Sequence, residues 1–103
     1  MSVIIVPRAL YAGEHALRYS GNRAYVHLPI KTVEGLTGRK VKVIARVNAR
    51  GCKDGNDHDQ LISFMATLVK TGRTYRVTLP SYYAPLAMRI RDCGSLEIWL
   101  IPA

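Results

Sequence analysis

The sequence predicts a mainly β protein with short helices, in which one hairpin unit occurs twice. Three observations lead to this fold class. Valine, isoleucine, threonine and tyrosine are frequent in a 103-residue chain that is 49% hydrophobic, which favours strands around a buried core. Several segments alternate apolar and polar residues with the period of two that half-buried strands show. One segment also recurs further along the chain, and such repeats define the architecture when they are present.

The repeat relates residues 17–29 to residues 68–80 at an offset of 51. Both copies begin with leucine, continue through a Ser/Thr-Gly step and finish with Val-x-Leu-Pro. Glycine supplies the positive φ of a tight turn, and proline cannot donate to a sheet ladder. Each copy therefore predicts two strands that are joined by a glycine turn and end at Pro29 or Pro80.

The remaining elements follow in chain order. The apolar run at residues 3–6 predicts an extra N-terminal strand within residues 1–12, whose edge could pair with a second subunit. One or two helical turns are expected after Pro29, and a short helix or turn over residues 81–88, which include Pro85. Closing strands are expected at residues 39–47 and 95–101. The second is apolar on both faces, so it should be central or lie at an interface.

We expect a single domain over residues 1–103. Repeat one covers about 14–47, a linker rich in Gly, Asn and Asp covers about 48–60, and repeat two covers about 64–101. Each unit is too small to bury a core of its own, so the two should share one.

Strand alternation assigns side chains to two faces. The positions expected inside are Ala24, Val26, Leu28, Val41, Val43, Ala45, Val47, Tyr75, Val77 and Leu79. The opposite positions include Arg23, Lys40, Lys42, Arg46 and Arg76. A solvated outer face explains this alternation, but it does not explain why the outer residues are so often basic.

The second copy resembles the hallmark of AbrB/SpoVT-like proteins, which is a hairpin, a Val-x-Ile/Leu-Pro step, a short helix and a closing strand. Residues 71–73 and 75–80 carry the resemblance, and residues 25–29 form a weaker copy. It implies a swapped-hairpin β-barrel of two interlocking units and a DNA-binding transcriptional regulator. Because one chain contains both units, the resemblance implies a layout similar to that of the MraZ branch, with a pseudo-twofold barrel built by one chain. A homodimer is the expected assembly if the chain dimerises further through residues 3–6.

The resemblance also implies which residues meet duplex DNA, since family members place basic residues of the hairpin and barrel face against it. The matching residues here are Arg23, Arg73 and Arg76, and alternation alone adds Lys40, Lys42 and Arg46. Their expected role is to neutralise phosphates, with one or two arginines reading guanine edges.

The overall charge agrees with a polyanionic partner. Fifteen Lys and Arg residues against seven Asp and Glu give a formal net charge of +8, which concentrates polyanions near the surface. No apolar run approaches the ~20 residues that a membrane span needs. The N-terminal apolar run lacks the features of a signal peptide. We therefore expect a cytoplasmic protein with no membrane partner.

The two cysteines, Cys52 and Cys93, have no accompanying CxxC or zinc ligand set. They could remain separate reduced thiols or form a disulfide, and the sequence does not give the Cα separation that decides between these states.

Other functional patterns are weaker. The Gly35 to Lys40 segment lacks the spacing of a P-loop, and the acidic residues of the linker lack the order of a calcium loop. Cys52 and His58 have no oxyanion motif, so we expect neither an enzyme nor a cofactor. Two alternatives to DNA regulation stay open. One is an antitoxin or interaction module with a toxin partner, and the other is an RNA-binding or architectural protein.

Overall fold

The described strands are shared between two antiparallel sheets. The computed structural model describes residues 9–29, 31, 40–52 and 60–102. Its strands are β1 (Leu10–Ala16), β2 (Arg18–Ser20), β3 (Arg23–Pro29), β4 (Lys40–Asn48), β5 (Leu61–Thr67), β6 (Val69–Thr71), β7 (Thr74–Thr78) and β8 (Ser95–Pro102). Sheet I has the order β1-β8-β4-β5, and sheet II has the order β2-β3-β7-β6. A 3-10 turn, Ser81–Tyr83, leads into helix α1, Ala84–Arg89.

The mainly β class is confirmed, but the described strands form two four-stranded sheets and no closed barrel. The sheets are connected at their corners by the chain itself. A single residue, Leu17, separates β1 from β2, and Leu68 separates β5 from β6 in the same way. Each of these long segments therefore contributes an edge strand to both sheets. The predicted strand at residues 3–6, the helical turns after Pro29 and most of the acidic linker lie outside the described residues.

The strand bounds repeat with the offset found in the sequence. Strands β1 and β5 begin at Leu10 and Leu61, and β2 and β6 begin at Arg18 and Val69. Both sheet orders also read the same when the strands of the two halves are exchanged. The strands β1 and β5 start earlier than the predicted repeats at 14 and 64. Residues 11–16 and 62–67 share no identical position, so the sequence repeat became visible only at Leu17.

All three ladders of sheet I join one half of the chain to the other. Strand β1 pairs with β8, β8 pairs with β4, and β4 pairs with β5. In sheet II, the central ladder between β3 and β7 also joins the halves, and it pairs Val26 with Val77 directly. Those two valines are related by the offset of 51 residues. An approximate twofold axis therefore passes between them, which is the arrangement expected from a duplicated unit.

The predicted inner faces are confirmed. One buried cluster contains the inward residues of both sheets, and all ten positions assigned to the interior by alternation belong to it. The cluster also contains Leu86, Ala87 and Ile90 from the helical region. Burial of these apolar side chains, at about 25 cal/mol per Å² removed from water, is the main force that joins the two sheets.

The expected hairpin turns are present at Gly21 and Gly72, which have φ angles of 60° and 63°. The helix expected over residues 81–88 is also confirmed, with Pro85 in its first turn, where a missing N–H is tolerated. Tyr83 secures this region, because its hydroxyl donates to the carbonyl of Ser63 on the outer edge of β5 at 3.0 Å.

As expected for the last strand, β8 is central in its sheet. No helix in the described part of the chain is long and apolar enough to cross a membrane.

Cys52 and Cys93 form a disulfide with a Cα separation of 5.1 Å. The bond connects the segment that follows β4 with the turn that precedes β8. It therefore lies at the end of sheet I where Asn48 of β4 is opposite Ser95 of β8.

We expect the Cys52→Ser, Cys93→Ser double variant to lower the free energy of unfolding by up to about 4 kcal/mol, the loop-entropy value for a separation of 41 residues. Urea unfolding of the oxidised protein and the variant measures the difference. Addition of a reductant should destabilise only the wild type. Equal stability of the oxidised and reduced wild type would contradict the prediction.

Candidate nucleic-acid interface

The structure divides the six predicted DNA-binding residues between two surfaces. Arg23 begins β3, Arg76 lies in β7, and Arg73 lies in the turn before β7, so these three belong to sheet II. By contrast, Lys40, Lys42 and Arg46 all lie in β4 of sheet I. Because the sheets pack over one core through their inner faces, their outer faces are separate surfaces. The predicted set is therefore not one continuous interface.

The outer side of sheet II forms the surface that we call the basic face, comprising Arg18, Arg23, Tyr25, His27 and Arg76. Cross-strand pairing assembles it. Arg18 lies opposite Tyr25 in the β2–β3 ladder, and His27 lies opposite Arg76 in the β3–β7 ladder. Directly opposed side chains on one side of an antiparallel pair have Cβ atoms about 5 Å apart. Two residues of the first half, Tyr25 and His27, thus lie next to Arg76 of the second half, and Arg18 lies on the other side of Tyr25.

Arg76 is held by stacking, and it forms no ion pair with any residue that the structure describes. Its guanidinium carbon lies 4.1 Å from the centroid of the Tyr25 ring, which is within the range of a cation–π contact. Its Nε atom is buried and has no hydrogen-bond partner among the described residues. The positive charge of Arg76 is therefore held in one place while it remains uncompensated by a carboxylate in the described part of the chain.

His27 adds a titratable group at the centre of this face. Its Nδ1 lies 3.3 Å from the hydroxyl oxygen of Thr74, and its ring centroid lies 5.2 Å from that of Tyr25. Burial lowers the pKa of His27 below its usual value, and the positive charges of Arg18 and Arg76 lower it further. The imidazole is therefore neutral at pH 7, and a nearby anion would favour its protonation.

Arg18 is the arginine of the basic face that sequence reasoning missed, and Tyr25 and His27 were not among the predicted binding residues either. Its strand, β2, has only three residues, which is too short for alternation to be read. The signal was available in the hairpin instead. A two-residue turn at Gly21 and Asn22 makes Ser20 the partner of Arg23, and the same register then places Arg18 beside Tyr25.

The outer side of sheet I has a different electrostatic character. Arg46 donates to Glu97 across the β4–β8 ladder at 2.5 Å, and the hydroxyl of Tyr11 donates to the other carboxylate oxygen of Glu97 at 2.7 Å. Glu14 accepts hydrogen bonds from Asn48 and Ser95, and these hold its pKa below the usual value. The charge of Arg46 is thus partly neutralised, which the sequence could not show because Glu97 belongs to the other half.

A cavity of about 370 Å³ adjoins one end of the basic face. Arg23 is the only charged side chain among the described residues of its lining, which also include Asn22, Thr78 and Ser81. These residues supply hydrogen-bonding groups and a positive charge but no acid–base pair. Its chemistry is therefore that of an anion contact at the margin of the basic face.

Comparisons of the chain with protein-family models, curated proteins and solved structures find no match.

We expect the Arg76→Ala substitution to raise the pKa of His27, because it removes a positive charge and opens the site to water. Titration of the histidine ring protons by NMR, in the wild type and in the variant, measures the change. Lys42→Ala removes one charge from sheet I and is the matched control, which should leave the His27 pKa unchanged. An unchanged His27 pKa in Arg76→Ala would show that the two side chains are not coupled.

Proposed function

We propose that this protein binds duplex DNA through the basic face and acts as an AbrB-like transcriptional regulator. The observation that carries the proposal is the cross-strand set of Arg18, Tyr25, His27 and Arg76 on one outer face. Arginines that lack carboxylate partners are suited to phosphate oxygens, which form strong charge-assisted hydrogen bonds with guanidinium groups.

The distribution of acidic residues supports the choice of this face. Three acidic residues lie in the described part of the chain. Glu14 and Glu97 lie on sheet I, and Asp92 lies in the turn between α1 and β8. The basic face therefore contains no carboxylate among the described residues. Arg73 is exposed in the turn of the adjoining β6–β7 hairpin and extends the same positive surface.

The partly covered ring of Tyr25 favours binding of duplex DNA over binding of single-stranded nucleic acid. Proteins that bind single strands generally stack bases on open aromatic rings. One side of the Tyr25 ring is covered by the Arg76 guanidinium, and the ring itself is half-buried. The face consequently offers charge and hydrogen-bond donors in place of a stacking platform, which suits a phosphate backbone and the edges of a groove.

The resemblance to the AbrB-like family gains support from the ladders of sheet I. Swapped-hairpin units are expected to interlock, and every ladder of this sheet pairs a strand of the first half with a strand of the second. In this proposal, the chain combines two interlocked units and presents one basic face at the central β3–β7 ladder.

We expect binding to a labelled duplex of about 25 base pairs to weaken steeply with salt. If four arginines, Arg18, Arg23, Arg73 and Arg76, each neutralise one phosphate, the slope of log affinity against log salt is about −3.6, from roughly −0.9 per contact. The Arg18→Ala, Arg76→Ala double variant should reduce the magnitude of the slope by about 1.8. Fluorescence anisotropy across a salt series gives both values.

Lys42→Ala is the control for this experiment, since it removes a charge from the other sheet and should leave the slope unchanged. A smaller slope with Lys42→Ala, together with an unchanged slope in the double variant, would indicate that DNA binds to sheet I. Preference for a single-stranded or duplex RNA of equal length would favour the RNA-binding alternative. Absence of binding at low salt would exclude the proposal, and co-purification with a small nuclease would then favour the antitoxin alternative.

We also expect affinity for duplex DNA to rise as the pH falls from neutral. The pKa of His27 is lowered in the free protein, and a bound phosphate would raise it by stabilising the protonated ring, so binding takes up a proton. Anisotropy titrations between pH 7.5 and pH 5.5, values chosen around the usual histidine pKa of ~6.5, measure this dependence. The His27→Gln substitution should abolish this rise in affinity at lower pH. If the variant still shows the rise, another group takes up the proton.

A further inference from the structure

The outer side of sheet I contains an apolar surface that the proposed DNA contact does not use. We call it the apolar face and define it by Tyr11, Ile44, Trp99 and Ile101. Tyr11, Trp99 and Ile44 form one row across three neighbouring strands, and the rings of Tyr11 and Trp99 are 5.4 Å apart. Tyr11 is 51% exposed. A contiguous apolar patch of this kind on a sheet marks an interaction surface.

The charges on the outer side of sheet I are mixed, although the whole chain has a net charge of +8. Arg46 is paired with Glu97 and Glu14 lies beside them, while Lys40 and Lys42 have no carboxylate partner among the described residues. Two of the three acidic residues in the described part of the chain therefore lie on the outer side of this sheet. It is consequently less positive than the basic face, so two copies that meet there repel each other less than they would at the basic face.

The register of β4 and β8 makes the same face complementary to itself. Arg46 lies opposite Glu97, Ile44 opposite Trp99, and Lys42 opposite Ile101. Two packed copies can be related by a twofold axis that runs parallel to β4 and β8, midway between these strands and midway between the two sheets. It places Trp99 over Ile44 of a second copy and Glu97 over Arg46 of that copy. Sheets that pack in this way lie about 10 Å apart, with strands inclined by roughly 30°.

We propose that the apolar face is the interface of a homodimer, in which two copies of sheet I pack face to face. The apolar row forms its centre, and two symmetric Arg46–Glu97 contacts between the copies lie beside it. This inference does not depend on the DNA-binding proposal, because it uses a different sheet and a different partner.

The first test uses Trp99, which is the only tryptophan in the chain. Dilution of the wild-type protein should shift its emission to longer wavelength and increase quenching by iodide, as dissociation exposes the ring to water. Sedimentation velocity over the same concentrations should show conversion from two chains to one. A wild-type protein that sediments as a single chain at every concentration overturns the proposal.

The second test exchanges the charges. Arg46→Glu alone and Glu97→Arg alone each place like charges across the interface twice, so each variant should dimerise at least about tenfold more weakly than wild type. An equimolar mixture of the two variants restores opposite charges at both intermolecular contacts. Their intrachain pairs remain like-charged, so recovery of dimer in the mixture reports only contacts between copies.

Met88→Glu is the matched control, since Met88 is 57% exposed on α1 and its substitution should leave dimerisation unchanged. Circular dichroism checks that each variant is folded. Dimers that persist in both single variants, or a mixture that stays as weak as its components, would place the interface elsewhere and overturn the proposal.

Discussion

The pairing of β4 with β8 is the contact on which the rest of the architecture depends. It joins the closing strands of the two halves along the centre of sheet I, from Val41 opposite Pro102 to Asn48 opposite Ser95. Strands β1 and β5 then add to its two sides, again with partners from the opposite half. Neither half contains a ladder within sheet I that it could form alone, so the two halves must fold together. The disulfide between Cys52 and Cys93 reinforces the end of this central ladder.

The same dependence between halves determines the composition of the basic face. Tyr25 and Arg76 occupy equivalent positions in the duplicated unit, because they are separated by the offset of 51 residues. Since β3 pairs with β7 around Val26 and Val77, the two equivalent side chains meet, and the arginine lies over the tyrosine ring. Equivalent positions that hold an aromatic residue in one half and a cation in the other thereby form a cation–π contact.

Local patterns predicted much of the fold but little of the assembly. The inward positions of β3, β4 and β7 followed from a period of two, and the turns followed from Gly21 and Gly72. The division of the cations between two sheets did not follow, because it depends on which strands pair across a long separation in sequence. For the same reason, the sequence did not indicate that Glu97 partly neutralises Arg46. Alternation reports which side of a strand a residue occupies, and it does not identify the neighbouring strand.

The position of the basic face, on the sheet that is not used in the proposed dimer, reduces the electrostatic repulsion between two copies of this basic chain. In the proposed dimer, the sheets stack in the order II, I, I, II. At a spacing of about 10 Å per sheet, the two basic faces are separated by roughly 30 Å, several times the Debye length of ~8 Å at physiological ionic strength. Their mutual repulsion is then largely screened. In such a dimer the positive surfaces would lie on opposite outer sides of the assembly, where polyanions have access, while the Arg46–Glu97 pairs and the apolar row of sheet I would be buried between the copies.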